Sequence, residues 1–299
     1  MADEDGVYFT TLGPGTTTNS GALMACEGSP CTATLVGDAT LESPKLLAMT
    51  PDALFVAPEI STDAPFASMR GYKRIDHLAL STFPFGAYSP FGLFSPVGTK
   101  DLYFVDRGSA SAGTGKSIAK LVAGAGTYSF SPYVTVQNAN AYGRIVLASG
   151  KVLTTSPTLD AIYEATNPNA RVQGHQIVDL ATDGTDIAWL STHSLAPSVW
   201  RCAAGCSVAP VNLGASAVQP RGIAFDATGI YWTSEGATQQ SGRIEWIRAG
   251  TNGPPTVIAE KLPQPQRIAV TKKFLYFTTF GGPGVGATQG TVRRLAKPL

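Results

Sequence analysis

Six positions in the chain carry large, chemically diverse side chains at the same point of a recurring pattern, just before a short apolar run. They are Lys45, Phe91, Tyr142, His175, Arg221 and Gln266. The residues around them are small or are prolines, so the frame repeats while the inserted side chain varies. That variation is typical of residues that line a heterogeneous pocket.

A second set of polar residues follows the next apolar run of each copy. Its members are Glu59, Asp106, Arg107, Ser156, His193 and Glu235. If the two sets meet, they offer either a polar binding pocket or acid–base catalysis, in which His175 or His193 is the base beside Glu235 or Glu59. The alternative is that all of them are solvated loop residues without a ligand.

The overall composition excludes two classes of partner. Charged residues make up 14% of the 299 residues and the net charge is +1, without basic clusters. A nucleic-acid groove needs clustered Lys and Arg, and a membrane span needs about 20 consecutive apolar residues. We therefore expect neither a nucleic-acid partner nor a membrane span.

The elements that would position these residues are short strands. Runs of five or six β-branched and aromatic residues alternate with turn residues, and the chain shows no convincing helical stripe. One run recurs seven times at a spacing of roughly 45 residues, with equivalent positions at Phe9, Phe55, Phe104, Leu153, Trp189, Trp232 and Phe277. This spacing predicts an all-β, single-domain, seven-bladed β-propeller over residues 1–299, with four strands per blade. A sandwich or solenoid would not need seven equivalent positions.

Propeller geometry places the two polar sets on one face. In each blade the first strand, a, lies nearest the central channel, and its start meets the end of the second strand, b. Third strands, c, include the runs "SIAKLVA" and "RIDHLAL", the latter containing His77 as a packed or edge residue. The two polar sets should then ring the mouth of the channel on the face where strands a begin.

The first and last blades are predicted to be incomplete. The segment "ADEDGVYFTT" matches "DATGIYWTS", so Asp3 corresponds to Asp226 and Gly6 to Gly229. The chain then begins inside the turn after a first strand a, and a fourth strand is missing at the end. No signal segment is visible, and we expect the natural polypeptide to continue upstream.

The segment from Pro220 to Val270, with "PRGIAFDATGIYWTSEG", "SGRIEWIRAG" and "PPTVIAEKLPQPQRIAV", resembles the YWTD and NHL type of propeller repeat. It is similar in particular to the secreted repeat proteins abundant in myxobacteria. Three of the seven repeats match closely. The resemblance implies a propeller in an extracytoplasmic setting, but such repeats host binding modules, lyases and lactonases alike.

Four cysteines form two short pairs, Cys26 with Cys31 and Cys202 with Cys206. Each pair follows a predicted strand c, in the turn toward strand d. A zinc site would need all four together, but the pairs belong to blades one and five, which a ring separates. Two local disulfides are therefore expected, and these are typical of an oxidising compartment.

The segment from Ala110 to Ser117, "ASAGTGKS", is close to a phosphate-binding loop. That chemistry requires a helix after the loop. The following residues align with strand c, so we expect a plain connecting loop.

These patterns predict a secreted, periplasmic or cell-surface monomer that binds a small polar molecule, a glycan or a protein at the channel mouth. An enzyme, either a lyase or a hydrolase, and a structural surface scaffold are the alternatives. We predict no cofactor, and an axial metal ion stays an open possibility.

Overall fold

Seven antiparallel β-sheets follow one another along the chain in this computed structural model and form a seven-bladed β-propeller. The structure describes residues 1–4, 6–11, 21–27, 32–37, 41, 44–58, 68–84, 90–96, 99–106, 117–123, 128–135, 143–156, 160–167, 169–192, 197–215, 219–280 and 290–298. These residues contain 26 strands and no helix, and therefore no helix that could cross a membrane.

Each sheet is one blade, and its strands run in chain order from the channel outward. The first four blades consist of β1 (Gly6–Thr11), β2 (Ala22–Glu27) and β3 (Thr34–Leu35); β4 (Pro44–Met49), β5 (Ala53–Pro58), β6 (Ser68–Lys73) and β7 (Ala79–Pro84); β8 (Pro90–Phe94), β9 (Leu102–Asp106), β10 (Ser117–Ala123) and β11 (Tyr128–Thr135); and β12 (Ile145–Ala148), β13 (Lys151–Thr155), β14 (Ala161–Glu164) and β15 (Ala170–Gln173).

The last three blades follow the same plan. They consist of β16 (Ile177–Thr182), β17 (Ile187–Ser191), β18 (Ser198–Cys202) and β19 (Val211–Ala215); β20 (Pro220–Asp226), β21 (Gly229–Ser234), β22 (Gly242–Arg248) and β23 (Thr256–Leu262); and β24 (Pro265–Val270), β25 (Phe274–Thr279) and β26 (Thr291–Ala296). Five sheets have four strands. The first and the last have three among the described residues, as the sequence predicts.

The turn between the two inner strands of blade 6 shows why its residue types are needed. The Asp226 carboxylate accepts hydrogen bonds from the Thr228 backbone N–H at 2.9 Å and from its hydroxyl. A side chain on Gly229 would come within 2.3 Å of the Ile247 carbonyl oxygen, so the neighbouring strand excludes one. The same pattern recurs at the start of the chain, where the Asp3 carboxylate accepts from the Gly6 N–H at 3.0 Å.

The cores lie between blades, and the second strands of blades 2 to 6 are buried almost throughout their described residues. In β21 all six residues are buried. Trp232 packs in one cluster with Ala188 and Leu190 of the preceding blade. Between blades 4 and 5, Trp189 packs against Leu153 in the same way. The large second-strand side chains are therefore the contacts that hold neighbouring blades together.

All seven predicted anchor residues lie in second strands, but the hydrogen-bond ladder shifts two of them by one residue. In blade 6, Pro220 pairs with Ser234 and a bulge follows. The same bulge in blade 2 pairs Pro44 with Pro58, which makes Val56 the equivalent of Trp232 instead of Phe55.

The second shift is in blade 4, where the Thr155 hydroxyl accepts from the Arg144 N–H at 2.9 Å. In blade 6 the Thr233 hydroxyl accepts from the Gly222 N–H at 3.0 Å in the same way. Thr154, and not Leu153, is therefore the equivalent of Trp232.

The third strand of blade 2 was predicted wrongly. The structure places it at Ser68–Lys73, and Ala79–Pro84 is the fourth strand. Residues 74–78 of the predicted run "RIDHLAL" instead form the turn between them, where His77 has a φ of 57°, and Ala79 and Leu80 begin the fourth strand. The prediction failed because an inserted segment precedes this strand, so alignment by spacing moved it one element too far.

The disulfide Cys202–Cys206 is confirmed, with its Cα atoms 4.9 Å apart in the turn after β18. Cys26, in β2, is also disulfide-bonded, and Cys31 lies outside the described residues. The segment "ASAGTGKS" lies there too except for Ser117, which begins a strand and not a helix.

Contacts at the two ends of the chain bring the last blade to the first. Ala2 forms a β-bridge with Val7 on the inner side of β1. The backbone N–H of Lys272, in the first turn of blade 7, donates to the Glu4 carboxylate at 2.6 Å. Blades 1 and 7 are thus neighbours, and the ring closes.

Replacement of Glu245 should destabilise the fold strongly. Its buried carboxylate accepts from the Trp232 indole N–H at 3.0 Å and from the Ser234 hydroxyl at 3.1 Å. Glu245→Ala leaves both donors buried and unpaired, so we expect a loss of about 3 kcal/mol in the free energy of urea unfolding. Glu260→Ala, on the exposed side of β23, is the matched control. Equal effects of the two changes would contradict this role.

Candidate functional site

The pairing of each first strand with its second strand shows which residues are equivalent between blades at the starts of the first strands. The residue after the paired proline is Lys45 in blade 2, Phe91 in blade 3, Arg221 in blade 6 and Gln266 in blade 7. These four are structurally equivalent, as their sequence context indicates. The side chains of Lys45 and Phe91 are not among those described.

In blades 4 and 5 the equivalent residues differ from the predicted ones. In blade 5 the bulge between Ile177 and Asp179 places Val178 at this point, three residues after His175. In blade 4 it is Gly143, whose backbone N–H bonds to Thr155, one residue after Tyr142. Other predicted residues lie outside the description: Glu59, Arg107, Tyr142 and His193 entirely, and Asp106 in its side chain.

Arg221 and Glu235, predicted at the same face, form a direct ion pair. The two residues flank the paired ends of β20 and β21, which brings their side chains together. The Arg221 side chain is 44% exposed, so solvent screens the pair and its contribution to stability is about 0–1 kcal/mol. Nearby, the Gln266 amide N–H donates to the Gln264 carbonyl at 3.3 Å.

His175 lies against two tryptophans of its own blade. Its Nδ1 accepts from the Trp189 indole N–H at 3.4 Å, and its ring meets the Trp200 ring edge-on with centroids 4.4 Å apart. A neutral imidazole that accepts at Nδ1 carries its proton on Nε2. These contacts fix the ring by packing on the tryptophan pair.

The charged groups that meet near the channel axis lie one position further along the first strands. They are Arg144 in blade 4, Asp179 in blade 5 and Arg267 in blade 7. Arg144 Nη1 lies 2.8 Å from Asp179 Oδ1, and Arg267 Nη1 lies 2.9 Å from Asp179 Oδ2. The equivalent residue of blade 6 is Gly222, which has no side chain to separate Arg267 from Asp179.

Backbone donors complete the surroundings of the Asp179 carboxylate. The Leu180 N–H donates to Oδ1 at 3.1 Å, and the Ile223 N–H of blade 6 donates to Oδ2 at 3.3 Å. The carboxylate thus accepts three hydrogen bonds, from Leu180, Ile223 and Arg267, and has Arg144 as an ion-pair partner. Asp179 is buried, so these contacts compensate the cost of removing its charge from water.

The two arginines stay accessible where the carboxylate does not. The side chain of Arg144 is 36% exposed and that of Arg267 is 57% exposed. Two cations and one anion give the group a net charge of +1. We call Arg144, Asp179 and Arg267 the axial cluster. It can bind an anion or hydrogen-bond acceptor through the two guanidinium groups.

The axial cluster was not predicted from the sequence, although the sequence contains a signal for it. Each member interrupts an apolar strand a: "GRIVLA", "QIVDLA" and "QRIAV". A charge inside a strand that is otherwise buried needs a partner, and three such charges of mixed sign in equivalent strands predict that they pair across the axis. The sequence-based prediction used the residues before each first strand instead.

A second polar group lies between blades 1 and 2 at the opposite end of the ring, where the turns after strands a and c lie. The Tyr8 hydroxyl donates to Glu27 Oε1 at 2.9 Å, and His77 Nε2 lies 3.3 Å from the same oxygen. Arg74 pairs with Asp3. Tyr8, Glu27 and Arg74 also line an open cavity of about 520 Å³. His77 thus belongs to a turn contact rather than to a strand.

Burial raises the pKa of Tyr8 from 10.0 to about 12. The unfolded chain releases this phenolic proton as the pH passes about 10, whereas the folded protein holds it until about 12. The stability that the shift contributes is therefore present below pH 10 and is lost between about pH 10 and 12. We expect the melting temperature to fall less steeply over this range in Tyr8→Phe than in the wild type. Tyr133→Phe, at an exposed tyrosine, should retain the wild-type slope, and equal slopes in all three proteins would contradict the assignment.

Removal of the Asp179 carboxylate should destabilise the ring more than an ordinary surface change. Asp179→Ala leaves two arginines close together without their anion and removes the acceptor of two buried N–H groups. Because the arginines are partly exposed, the expected loss is about 1–3 kcal/mol. Urea unfolding of this variant beside Glu260→Gln, an exposed carboxylate in β23, measures the difference. A loss below about 1 kcal/mol would mean that the cluster does not hold the blades together.

No protein-family model matches the chain, and no curated protein matches it. Solved structures do. The Pan2 WD40 domain of Neurospora crassa gives a TM-score of 0.66 at 10% identity, covering 99% of this chain and 87% of that one. A candidate 6-phosphogluconolactonase from Bacteroides uniformis gives 0.59 at 12% identity, covering 98% and 97%. A chain of the nidogen/laminin complex gives 0.50 at 17% identity, covering 79% and 84%. At these identities the similarity shows the propeller fold and no activity.

Proposed function

We propose that this propeller is a binding module, with its ligand site on the face where the first strands begin. The observation that carries the proposal is the axial cluster, in which two partly exposed arginines are fixed by one buried carboxylate. Arg221, Glu235 and Gln266 flank the same face. Together they offer hydrogen-bond donors and acceptors of both signs, which suits a small polar molecule, a glycan or a polar protein loop.

The chemistry of these residues favours binding over catalysis. A general base needs a free lone pair within reach of a substrate proton. The Asp179 carboxylate is buried and accepts from Leu180, Ile223 and Arg267, Glu235 is paired with Arg221, and Nδ1 of His175 accepts from Trp189. The partly exposed arginines described at this face donate and do not abstract protons.

The disulfides support an extracytoplasmic location. Cys202 and Cys206 are bonded in a turn, and Cys26 is bonded as well. Disulfides persist in oxidising compartments and are rare in the reducing cytosol. We therefore place the protein in the periplasm, on the cell surface or outside the cell.

A ligand screen on matched variants tests the proposed function. The wild type would be screened by thermal shift against neutral sugars, amino acids, organic acids and phosphate esters, and on a glycan array, followed by calorimetric titration of each hit. We expect at least one hit whose affinity falls tenfold or more in a mouth variant, Arg221→Ala with Gln266→Ala, because these side chains face the ligand.

The control variant carries Glu260→Ala with Lys261→Ala, on exposed positions of β23 away from the channel. It should bind each hit like the wild type. A screen without hits, or hits that the mouth variant binds as tightly as the control does, would overturn the proposal.

A further inference from the structure

We propose that Arg144 and Arg267 form a preorganised oxyanion site, which takes the carboxylate or phosphate group of the ligand. This inference rests on the proposed binding function and adds the chemical class of the ligand. It follows from how the two guanidinium groups are held, what they have left to donate, and the sign of the cluster's charge.

The Asp179 carboxylate is held rigidly. It accepts from Leu180 on Oδ1 and from Arg267 and Ile223 on Oδ2, and Arg144 Nη1 lies 2.8 Å from Oδ1. These four groups come from blades 4, 5, 6 and 7. The carboxylate cannot turn toward the channel without breaking these contacts. Asp179 is therefore a fixed point that orients the two arginines and does not itself contact a ligand.

Arg144 and Arg267 each have N–H groups that do not contact Asp179. A guanidinium has five N–H groups, and the described contacts of Arg144 and Arg267 use one on each for Asp179. Within the described part of the chain, Asp179 is the one carboxylate paired with either side chain. Several N–H groups of each arginine thus remain for a partner on the accessible side of the cluster.

The net charge and the solvent exposure of the axial cluster favour the binding of an anion. One carboxylate between two guanidinium groups leaves a net charge of +1. If the cluster served only to hold blades together, a single arginine would neutralise Asp179. The second arginine adds repulsion, and Arg267 keeps more than half of its side chain in solvent. A second anion on the accessible side would lie between two cations already in place, so its binding would not cost their ordering.

The absence of a side chain in blade 6 makes this arrangement possible. Arg267 of blade 7 reaches Asp179 of blade 5 across Gly222. A Cβ atom on Gly222 would come within 2.5 Å of the Gln266 carbonyl oxygen and 3.0 Å of the Arg267 Cα. The backbones of blades 6 and 7 therefore approach closely here, which is what brings Arg267 within reach of the anchor.

Two guanidinium groups suit an oxyanion of two or three equivalent oxygens. Arginine donates two parallel N–H groups to carboxylate or phosphate, a geometry that lysine cannot reproduce. The shared chemistry is that of a planar or tetrahedral oxyanion, and the rest of the ligand would contact the mouth, where Arg221, Glu235 and Gln266 lie.

Binding of simple anions tests the site directly. Inorganic phosphate and acetate would be titrated into the wild-type protein at constant ionic strength, with sodium chloride as the compensating salt. Line broadening of the phosphorus signal and of the acetate carbon signal would report binding. We expect saturable binding of at least one of the two anions. Stronger phosphate binding would indicate a phosphate ester, and stronger acetate binding an organic acid.

Substitutions then locate the site. Arg267→Gln, which loses the charge, should weaken the preferred anion tenfold or more. Arg267→Lys, which keeps the charge but loses the paired donors, should weaken it three- to tenfold. Arg248→Gln, at an exposed arginine at the end of β22, should bind like the wild type. Thermal melts of each variant show whether the fold is intact. If Arg267→Gln destabilises the protein, Arg144→Gln serves as the second variant.

The outcomes separate this inference from the proposed function. No saturable anion binding, or anion binding that Arg248→Gln weakens as much as Arg267→Gln, would overturn the oxyanion site. If a neutral ligand still binds and depends on Arg221 and Gln266, the binding function stands without it. If neither anions nor neutral ligands depend on the mouth or the axial cluster, both proposals fail.

Discussion

The carboxylate of Asp179 is the interaction on which the centre of this propeller depends. Removing a carboxylate from water costs several kcal/mol, and this one is buried inside an apolar strand. It is tolerated because three hydrogen-bond donors and the Arg144 guanidinium, from four consecutive blades, converge on its two oxygens. Each of these groups lies near the start of an inner strand, including the Ile223 N–H, which comes just after the bulge of β20.

The blades and most of their strands could be predicted from the sequence because the repeats of blades 5 to 7 are close to one another. The register of the second strands could not. These strands are buried on both faces, so they lack the alternation of polar and apolar residues that normally fixes which face a residue occupies. Matching similar apolar runs therefore placed the anchors of blades 2 and 4 one residue early, at Phe55 and Leu153. A shift of one reverses the face, and both residues pack against the following blade instead of the preceding one.

The position of the candidate site could be predicted to within a few residues, but its key members could not. The bulge at the start of a first strand sends neighbouring residues in different directions. A proline marks it in blades 2, 3, 6 and 7 but not in blades 4 and 5. Arg221 and Gln266 therefore occupy equivalent places, whereas His175 lies three residues before the equivalent place in blade 5. Asp179 was not predicted because it lies within an apolar run.

The two ends of the ring differ in their chemistry, and this difference bears on function more than the fold does. Propellers of similar shape occur in a WD40 domain and in a nidogen/laminin complex. The fold alone therefore does not determine an activity. At the turn end, the Tyr8 phenol holds its proton to about pH 12, and its partner Glu27 already accepts that hydrogen bond. At the end where the first strands begin, the Asp179 carboxylate is buried, and Arg144 and Arg267 are partly exposed. The chemistry that we propose for this end is therefore the recognition of negative charge.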